Sequence, residues 1–301
     1  MVAVVTTARS GVARATAIGA GAVLMWSMLA PLATLAGQVP PFQLVAVSFF
    51  LAFLVGALWA ARSGESPARH LRQPPEAWAL GVGGLFGFHF LYFMALRSAP
   101  PVEANLINYL WPLLIVVFSA FLPGERLRPW HVAGAASGLA GTALLVAGDG
   151  VSLSSGHLPG YLASLGSAVT WAGYSVLRRR LGRGGEASTE AIGAFCLATA
   201  ALSLLCHLVL EETRWPDAPV GWAALLLLGL GPVGAAFYVW DHGVRHGDIR
   251  VLGALSYLAP LVSTLLLVGL GLAPNRGTIW IACAFIAGGS LLASRDLLKR
   301  G

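Results

Sequence analysis

Ten long apolar runs follow one another along this chain, and they constrain its fold more than any other feature. A helix that crosses the hydrocarbon core of a bilayer needs roughly 20 mainly apolar residues. Only 11% of the 301 residues are charged, about half the share of roughly 25% that is typical of a soluble domain. We therefore predict an all-α integral membrane protein with ten transmembrane helices, called spans 1 to 10. They lie near residues 15–36, 41–61, 77–97, 101–121, 130–147, 159–178, 189–210, 219–241, 250–271 and 278–294.

The connections between the spans are short, so the function must reside in the helical bundle. The longest connection, residues 62–76, has 15 residues. Lys299 is the single lysine, and without a GxxxxGK[ST] phosphate loop the chain cannot hydrolyse ATP by that route. The three cysteines stand singly, and His242 and His246 lack a third ligand nearby. We expect no metal and no other cofactor.

The basic residues are distributed unevenly between the two sides of the predicted bundle. With the N-terminus in the cytoplasm, sixteen of the nineteen Lys and Arg residues fall on the cytoplasmic side, and only Arg97, Arg214 and Arg276 fall on the other. Cytoplasmic connections of membrane proteins carry such an excess. We predict a multi-pass protein of the bacterial inner membrane with both termini in the cytoplasm. Basic loops facing anionic lipid account for the pI of 9.7 without nucleic acid as a partner.

The two halves of the chain repeat each other. A shift of 148 residues places the sequence of Tyr109–Pro112 on that of Tyr257–Pro260. Because each repeat holds five spans, an odd number, the second repeat enters the membrane upside down. Inverted repeats are the architecture of many secondary transporters, with the substrate near the midplane between the halves. We predict a first repeat over residues 1–148 and a second over residues 149–301.

Spans 4 and 9 are interrupted by proline at matching positions. Pro112 has no N–H, so it should free the carbonyl of Asn108, and Pro260 should free that of Ser256. Irregular backbone at membrane depth is tolerated only inside protein or along a wet cavity. Paired interruptions of this kind indicate a transport site, and we predict that the two prolines act as hinges.

Aromatic and hydrogen-bonding residues within the spans mark the candidate substrate site. Asn108 and Tyr109 accompany the proline of span 4, and His89 and Tyr92 share one face of span 3. Carboxylates fall near span ends, which favours a small, net-neutral, partly apolar solute over an ion. The predicted substrate-binding residues are Trp26, His89, Tyr92, Asn108, Tyr109, Trp111, Trp171, Tyr174, Trp240, Ser256 and Tyr257.

Small residues in spans 5 and 10 predict where the halves meet. Gly134 and Gly138 form a GxxxG step, and Ala284 and Gly288 mirror it in span 10. Such spacing lets helix backbones approach closely. We predict a monomer in which spans 5 and 10 join the halves; a homodimer through the same faces is the alternative.

With these motifs the chain resembles the drug/metabolite transporter superfamily, in its EamA-like branch, over nearly its whole length. The resemblance rests on the helix end Ala95–Leu96, the broken helix Tyr109–Pro112, the motif Gly124–Arg126 and the glycine-rich span 5. The narrower string Asn108–Pro112 resembles the YddG-type exporters of aromatic and other hydrophobic amino acids. Asn275 stands where the second repeat would match Glu125, so only one half keeps that glutamate.

The resemblance implies a central cavity between spans 1, 3, 4, 6, 8 and 9. It also implies that Tyr92, Tyr109, Trp111 and Trp171 contact substrate, with His89 beside them. We therefore predict a secondary transporter, not an enzyme, that exports small neutral aromatic or hydrophobic amino acids by alternating access. Its partners would be the amino acid and membrane lipids.

Three alternatives stay open on sequence grounds. A related exporter could act on other metabolites or drugs, such as amines or purines, because aromatic cages can hold cations. A passive channel is a second alternative. An intramembrane lipid-modifying enzyme is a third, but it would need a nucleophile with a base or a metal cluster, and the sequence has neither pattern.

Overall fold

The computed structural model describes residues 2–64, 71–147, 154–183, 191–271 and 276–298. Helix occupies each of the ten apolar runs, and no strand occurs within these ranges. Seven helical stretches in the described part are long and apolar enough to cross a membrane. The predicted boundary between the halves at residue 148, and Asn275, lie outside the described residues.

The helices of the first half have the following bounds. Span 1 consists of Val2–Ser27 and Leu29–Ala36, span 2 of Pro41–Arg62, span 3 of Pro75–Ser98, span 4 of Pro101–Asn108 and Trp111–Phe118, and span 5 of Pro129–Ala147. A short 3-10 turn, Ser119–Phe121, ends span 4.

In the second half, another 3-10 turn, Ser155–His157, precedes span 6. Span 6 is Leu158–Arg183 and span 7 is Ala191–Leu210. Span 8 has three parts: the helix Pro219–Leu230, the π turn Gly231–Ala235 and the helix Ala236–His246. Span 9 consists of Ile249–Leu255 and Leu258–Gly269, span 10 is Gly277–Ala293, and the short helix Arg295–Leu298 follows.

Proline sets the start of several of these helices. The first helical position needs no N–H donor and suits the fixed φ of proline, so proline there begins a helix without cost. Span 9 begins differently, at the side chain of Asp248, which accepts hydrogen bonds from the backbone N–H groups of Arg250 (3.0 Å) and Val251 (3.4 Å). The prolines that begin helices are Pro41, Pro75, Pro101, Pro129 and Pro219.

Spans 4 and 9 are both broken at the predicted places. In each, two residues separate the helix that ends from the helix that restarts, and Pro112 and Pro260 lie in the first turn of the helix that restarts. One detail differs from the prediction: the Ser256 carbonyl is not left free, because the backbone N–H of Ala259 donates to it at 3.1 Å. A 3-10-type bond thus replaces the lost α-helical one.

The most extensive helix–helix contacts join the two halves. Span 5 packs against span 10, span 3 against span 6, span 2 against span 7 and span 1 against span 8, and spans 4 and 9 also touch. Exchanging the halves, so that span 1 becomes span 6 and so on, leaves this set of pairs unchanged.

The contact between spans 5 and 10 is close enough to exclude side chains. A Cβ atom at Gly134 would lie 2.5 Å from the carbonyl oxygen of Gly289, and one at Gly289 would lie 2.5 Å from that of Gly134. The predicted second-half pair, Ala284 and Gly288, is exposed instead. Residues 288 and 289 are both glycine. The spacing predicted Gly288 as the contact residue, but Gly289 lies on the face of span 10 that packs against span 5.

Candidate substrate site

Four tryptophans from four different spans meet inside the bundle. They are Trp26 of span 1, Trp111 of span 4, Trp171 of span 6 and Trp240 of span 8, here called the tryptophan cluster. All six pairs of ring centroids lie between 5.1 and 6.3 Å apart, the range in which aromatic rings attract one another. The structure thus unites four of the eleven predicted site residues in one cluster.

Helix interruptions position three of these four side chains. Trp111 is the first residue of the helix that restarts in span 4, and Trp26 lies next to the end of the first helix of span 1. Trp240 follows the π turn Gly231–Ala235, which inserts a residue into the helical register and so changes the face that later residues present. Sequence reasoning predicted the break of span 4 but missed those of spans 1 and 8; Gly231 and Pro232 within an apolar run are the signal of the break in span 8.

Aromatic contacts lead away from the tryptophan cluster along span 3. Phe237 contacts Trp171 at 5.7 Å and Trp26 at 6.1 Å between ring centroids. His89 lies 6.2 Å from Phe237 on one side and 6.1 Å from Phe93 on the other. The predicted residue His89 therefore stands between the cluster and Phe93, which lines a cavity at one end of the bundle.

The polar groups predicted for the site are already oriented by protein partners. The Tyr92 hydroxyl donates to the side-chain oxygen of Asn105, and Asn108 accepts from the Ser167 hydroxyl at 2.8 Å. His89 shares a hydrogen bond of 2.7 Å between Nδ1 and the carbonyl of Leu85, leaving Nε2 of its ring for another partner. Ser167 was not predicted, because it is one of three serines in span 6 and its spacing does not distinguish it from the other two.

Tyr109 and Tyr174 lie at the margins of this site. Tyr109 is partly exposed, and its phenol is near that of Tyr92. Tyr174 contacts Trp171 at 5.3 Å, but its ring also packs on the backbone of span 3 at Gly84, where a Cβ atom would clash with it.

Ser256 and Tyr257 are not brought together with the tryptophan cluster. Tyr257 is fully buried beside Gly138 of span 5, and its hydroxyl donates to the carbonyl of Tyr109 at 3.1 Å. Ser256 donates to the carbonyl of Leu252 in its own helix at 2.8 Å. The Tyr257 bond links the breaks of spans 4 and 9, whereas the Ser256 hydroxyl bond stays within span 9.

One end of the bundle, called the arginine-rich end, is closed by a buried ion-pair network. Glu125, which follows span 4, pairs with Arg179 of span 6 at 2.5 Å and with Arg250 of span 9 at 3.5 Å. Arg179 also donates to the carbonyls of Val244 (2.8 Å) and Gly247 (2.6 Å). These three charged side chains, the Glu125 network, are 8–14% exposed and connect the two halves.

Backbone contacts close the same end. A Cβ atom at Gly19 of span 1 would lie 2.8 Å from the Cα atom of Gly243 in span 8. The backbone N–H of Asp248 donates to the Thr16 hydroxyl at 2.8 Å. Burial raises the pKa of the Asp248 carboxyl, but its hydrogen bonds to the Arg250 guanidinium and to backbone N–H groups outweigh this and hold the pKa below its usual value.

A second buried ion pair lies beside the tryptophan cluster. Arg178 donates to the carboxylate of Asp241 at 2.7 Å, and both side chains are almost completely buried. Sequence reasoning placed Asp241 at a span end and did not pair it, because its partner lies 63 residues away. Among the described residues, no three His, Cys, Asp or Glu side chains come together as metal ligands would.

Comparison with known proteins identifies the family. The model of the EamA-like transporter family matches twice, over residues 14–147 and 158–295. The chain belongs to the EamA-like transporter family. The predicted resemblance is confirmed, and so is the prediction of a multi-pass membrane transporter rather than an enzyme.

Two named relatives align with most of this EamA-like chain. The aromatic amino acid exporter YddG of Ancylobacter novellus is 53% identical over 282 residues, covering 93% of this chain and 96% of the relative. The exporter of the same name from Escherichia coli is 26% identical over 293 residues, with coverage of 93% and 96%. A crystal structure with 51% identity has a TM-score of 0.90 and covers 95% of this chain and 98% of its own.

Proposed function

We propose that this EamA-like transporter exports small neutral aromatic and hydrophobic amino acids across the bacterial inner membrane by alternating access. The observation that carries the proposal is the tryptophan cluster at the junction of spans 1, 4, 6 and 8. Indole rings offer large, rigid faces for an aromatic side chain, together with N–H donors. The two relatives named aromatic amino acid exporters support the same substrate class.

In the proposed topology, all ten spans cross the membrane and the arginine-rich end faces the cytoplasm, with both termini there. The chain consists of inverted repeats over residues 1–148 and 149–301 and works as a monomer surrounded by lipid. The double match to one family model and the exchange-invariant set of helix pairs support this arrangement. The excess of arginine at one end supports the orientation.

The proposed cycle begins from an outward-facing state. Here the Glu125 network and the contact of Gly19 with Gly243 close the cytoplasmic end, while residues of spans 3, 4 and 9 in the outer half are partly exposed. Opening the cytoplasmic end requires those ion pairs to separate as the halves rock about Pro112 and Pro260. An amino acid would then enter from the cytoplasm and reach the tryptophan cluster.

Within the site, the proposed roles follow from chemistry. Trp26, Trp111, Trp171 and Trp240 would contact the apolar side chain, and His89, Tyr92 and Asn108 would hydrogen-bond the ammonium and carboxylate groups. Tyr109 and Tyr174 would complete the wall. Ser256 and Tyr257, which sequence reasoning placed in the site, are proposed to hold the broken helices together.

Efflux from liposomes loaded with labelled phenylalanine tests this function. The purified protein should release phenylalanine saturably, and Trp111→Ala should reduce the rate at least about tenfold, as expected when a large aromatic contact is lost from a binding pocket. Trp280→Ala is the matched control, because Trp280 is 62% exposed on the outside of the bundle. A proton gradient imposed in parallel shows whether protons drive the export.

The alternatives give different results in the same assay. Release of amines or purines without release of any neutral amino acid would contradict the substrate assignment and leave the fold in place. Equal rates for the wild type and Trp111→Ala would contradict the assignment of the site.

A further inference from the structure

A cavity of about 530 Å³ lies at the end of the bundle opposite the arginine-rich end. This volume falls within the range of roughly 300–1,000 Å³ that is typical of small-molecule sites. It is formed where span 2 begins, span 3 ends and span 7 ends, and it contains no member of the tryptophan cluster. The side chains used below are Phe42, Phe93, Arg97, Glu211, Glu212 and Arg214.

One wall of the cavity is aromatic and rigid. Phe42 and Phe93 meet edge to face, with 5.3 Å between ring centroids and an interplanar angle of 89°. Phe42 is 1% exposed, so its position is held by the helices around it. Such a corner suits an aromatic or branched apolar side chain.

Neighbouring protein groups already bind the carboxylate of Glu211. Its carboxylate accepts hydrogen bonds from the backbone N–H groups of Phe42 (3.0 Å) and Gln43 (3.1 Å), and it pairs with His207 at 3.0 Å. It therefore neutralises the positive N-terminus of span 2. The charges left facing the cavity are two arginines and one carboxylate.

Within the described parts of the chain, those two arginines keep N–H donors that have no protein partner. Arg214 donates to the side-chain oxygen of Gln38 at 3.0 Å and pairs with Glu212 at 3.4 Å. Arg97 makes one long bond, 3.4 Å, to the carbonyl of Leu210. A guanidinium has five N–H groups in a fork that matches a carboxylate, so each arginine can bind another anion.

We propose that this cavity is a second binding site for a zwitterionic α-amino acid with an apolar side chain. Arg97 and Arg214 bind its carboxylate, Glu212 faces its ammonium group, and the corner of Phe42 and Phe93 holds its side chain. A carboxylate, an ammonium group and an apolar side chain on one small molecule are the groups that this lining complements.

The proposal rests on the proposed function and deepens it. Ring contacts run from Phe93 through His89 and Phe237 to the tryptophan cluster, so the cavity lies where an exported amino acid leaves the central site. The guanidinium groups of Arg97 and Arg214 at this mouth give a carboxylate-bearing solute a place to bind after it has left the cluster.

Equilibrium binding of labelled phenylalanine to the whole protein in lipid nanodiscs tests this site. We expect two phenylalanine molecules per chain at saturation. Arg97→Gln combined with Arg214→Gln should weaken one site about tenfold or more, because a charge-assisted bidentate contact is lost, and Trp111→Ala should weaken the other. Arg276→Gln, which removes an arginine at the same end outside the cavity, should leave both unchanged.

A second ligand makes the test independent of the variants. Phenylalanine methyl ester lacks the carboxylate, so it should not compete for the site that the arginine variants weaken. One phenylalanine per chain, lost in Trp111→Ala and unaffected by the paired arginine substitutions, would overturn the second site while supporting the proposed function. No binding of phenylalanine at either site, with no efflux from liposomes, would overturn both.

Discussion

At the residue scale, the site is defined by which aromatic side chains converge and which do not. Trp111 and Trp171 were predictable, because they lie well inside their spans, away from the membrane interfaces where tryptophan is enriched. The position of Tyr257 could not be predicted from the sequence. Its partner is a carbonyl 148 residues away, and spacing along one helix cannot reveal a bond between two helix breaks.

Tyr257→Phe separates a structural role from a role in binding. The substitution leaves the ring beside Gly138 but removes the donor to the Tyr109 carbonyl, which costs about 1–3 kcal/mol when the acceptor stays buried. We expect a lower melting temperature with an unchanged half-saturating phenylalanine concentration. A raised half-saturating concentration at unchanged melting temperature would instead place Tyr257 in the substrate site.

Asp248 provides a test based on pH. Its folded-state pKa is held below its usual value, so its contribution to stability is fully present above the unfolded pKa of about 3.9 and is lost as pH falls through the folded pKa. Asp248→Asn should lower stability at neutral pH and flatten its decline below about pH 4. Thermal unfolding between pH 3 and pH 7 measures this, and parallel pH profiles for the two proteins would contradict it.

At the element scale, the existence of the helices follows from apolar length, and their breaks follow from proline. Which face of each helix packs against its neighbours was harder to predict. Gly288 and Gly289 are identical residues, and one residue turns a helix by about 100°, so spacing did not separate the buried glycine from the exposed one. Likewise, the π turn of span 8 depends on how Gly231 and Pro232 are accommodated by the helices around them.

Gly134→Ala tests the joint between spans 5 and 10. Its methyl group would meet the carbonyl of Gly289 at 2.5 Å, and overpacking of a well-packed interface costs typically about 1–3 kcal/mol. We expect a clear drop in melting temperature in nanodiscs. Gly288→Ala is the matched control, since nothing lies within 4 Å of its added methyl group; equal melting temperatures for the two variants would contradict the observed packing.

At the scale of the whole molecule, the Glu125 network holds the halves together at the arginine-rich end. Sequence reasoning noted that Glu125 lacks a counterpart in the second repeat, but it could not name the partners. Arg179 lies 54 residues away, and it is one of four arginines in the last turns of span 6, Arg178, Arg179, Arg180 and Arg183. Only the fold selects among them.

Glu125→Gln should shift the chain toward states open at the arginine-rich end. Removing one partner of a buried pair costs about 3–5 kcal/mol, and every 1.4 kcal/mol changes a population ratio about tenfold. Spin labels at Arg126→Cys and Arg180→Cys, with the three native cysteines replaced, report the distance between the halves. We expect a longer distance to appear, with no change in the control Asp217→Asn; identical distance distributions in all three proteins would contradict a closing role.

The central claim, that an aromatic amino acid occupies the tryptophan cluster, can be tested directly by photolabelling. Free p-benzoylphenylalanine is irradiated with the protein in nanodiscs, and its adducts are mapped by mass spectrometry with and without excess phenylalanine. We predict adducts on the segments around Trp26, Trp111, Trp171 and Trp240 that excess phenylalanine suppresses. Adducts confined to lipid-facing residues such as Trp280, or unaffected by phenylalanine, would contradict it.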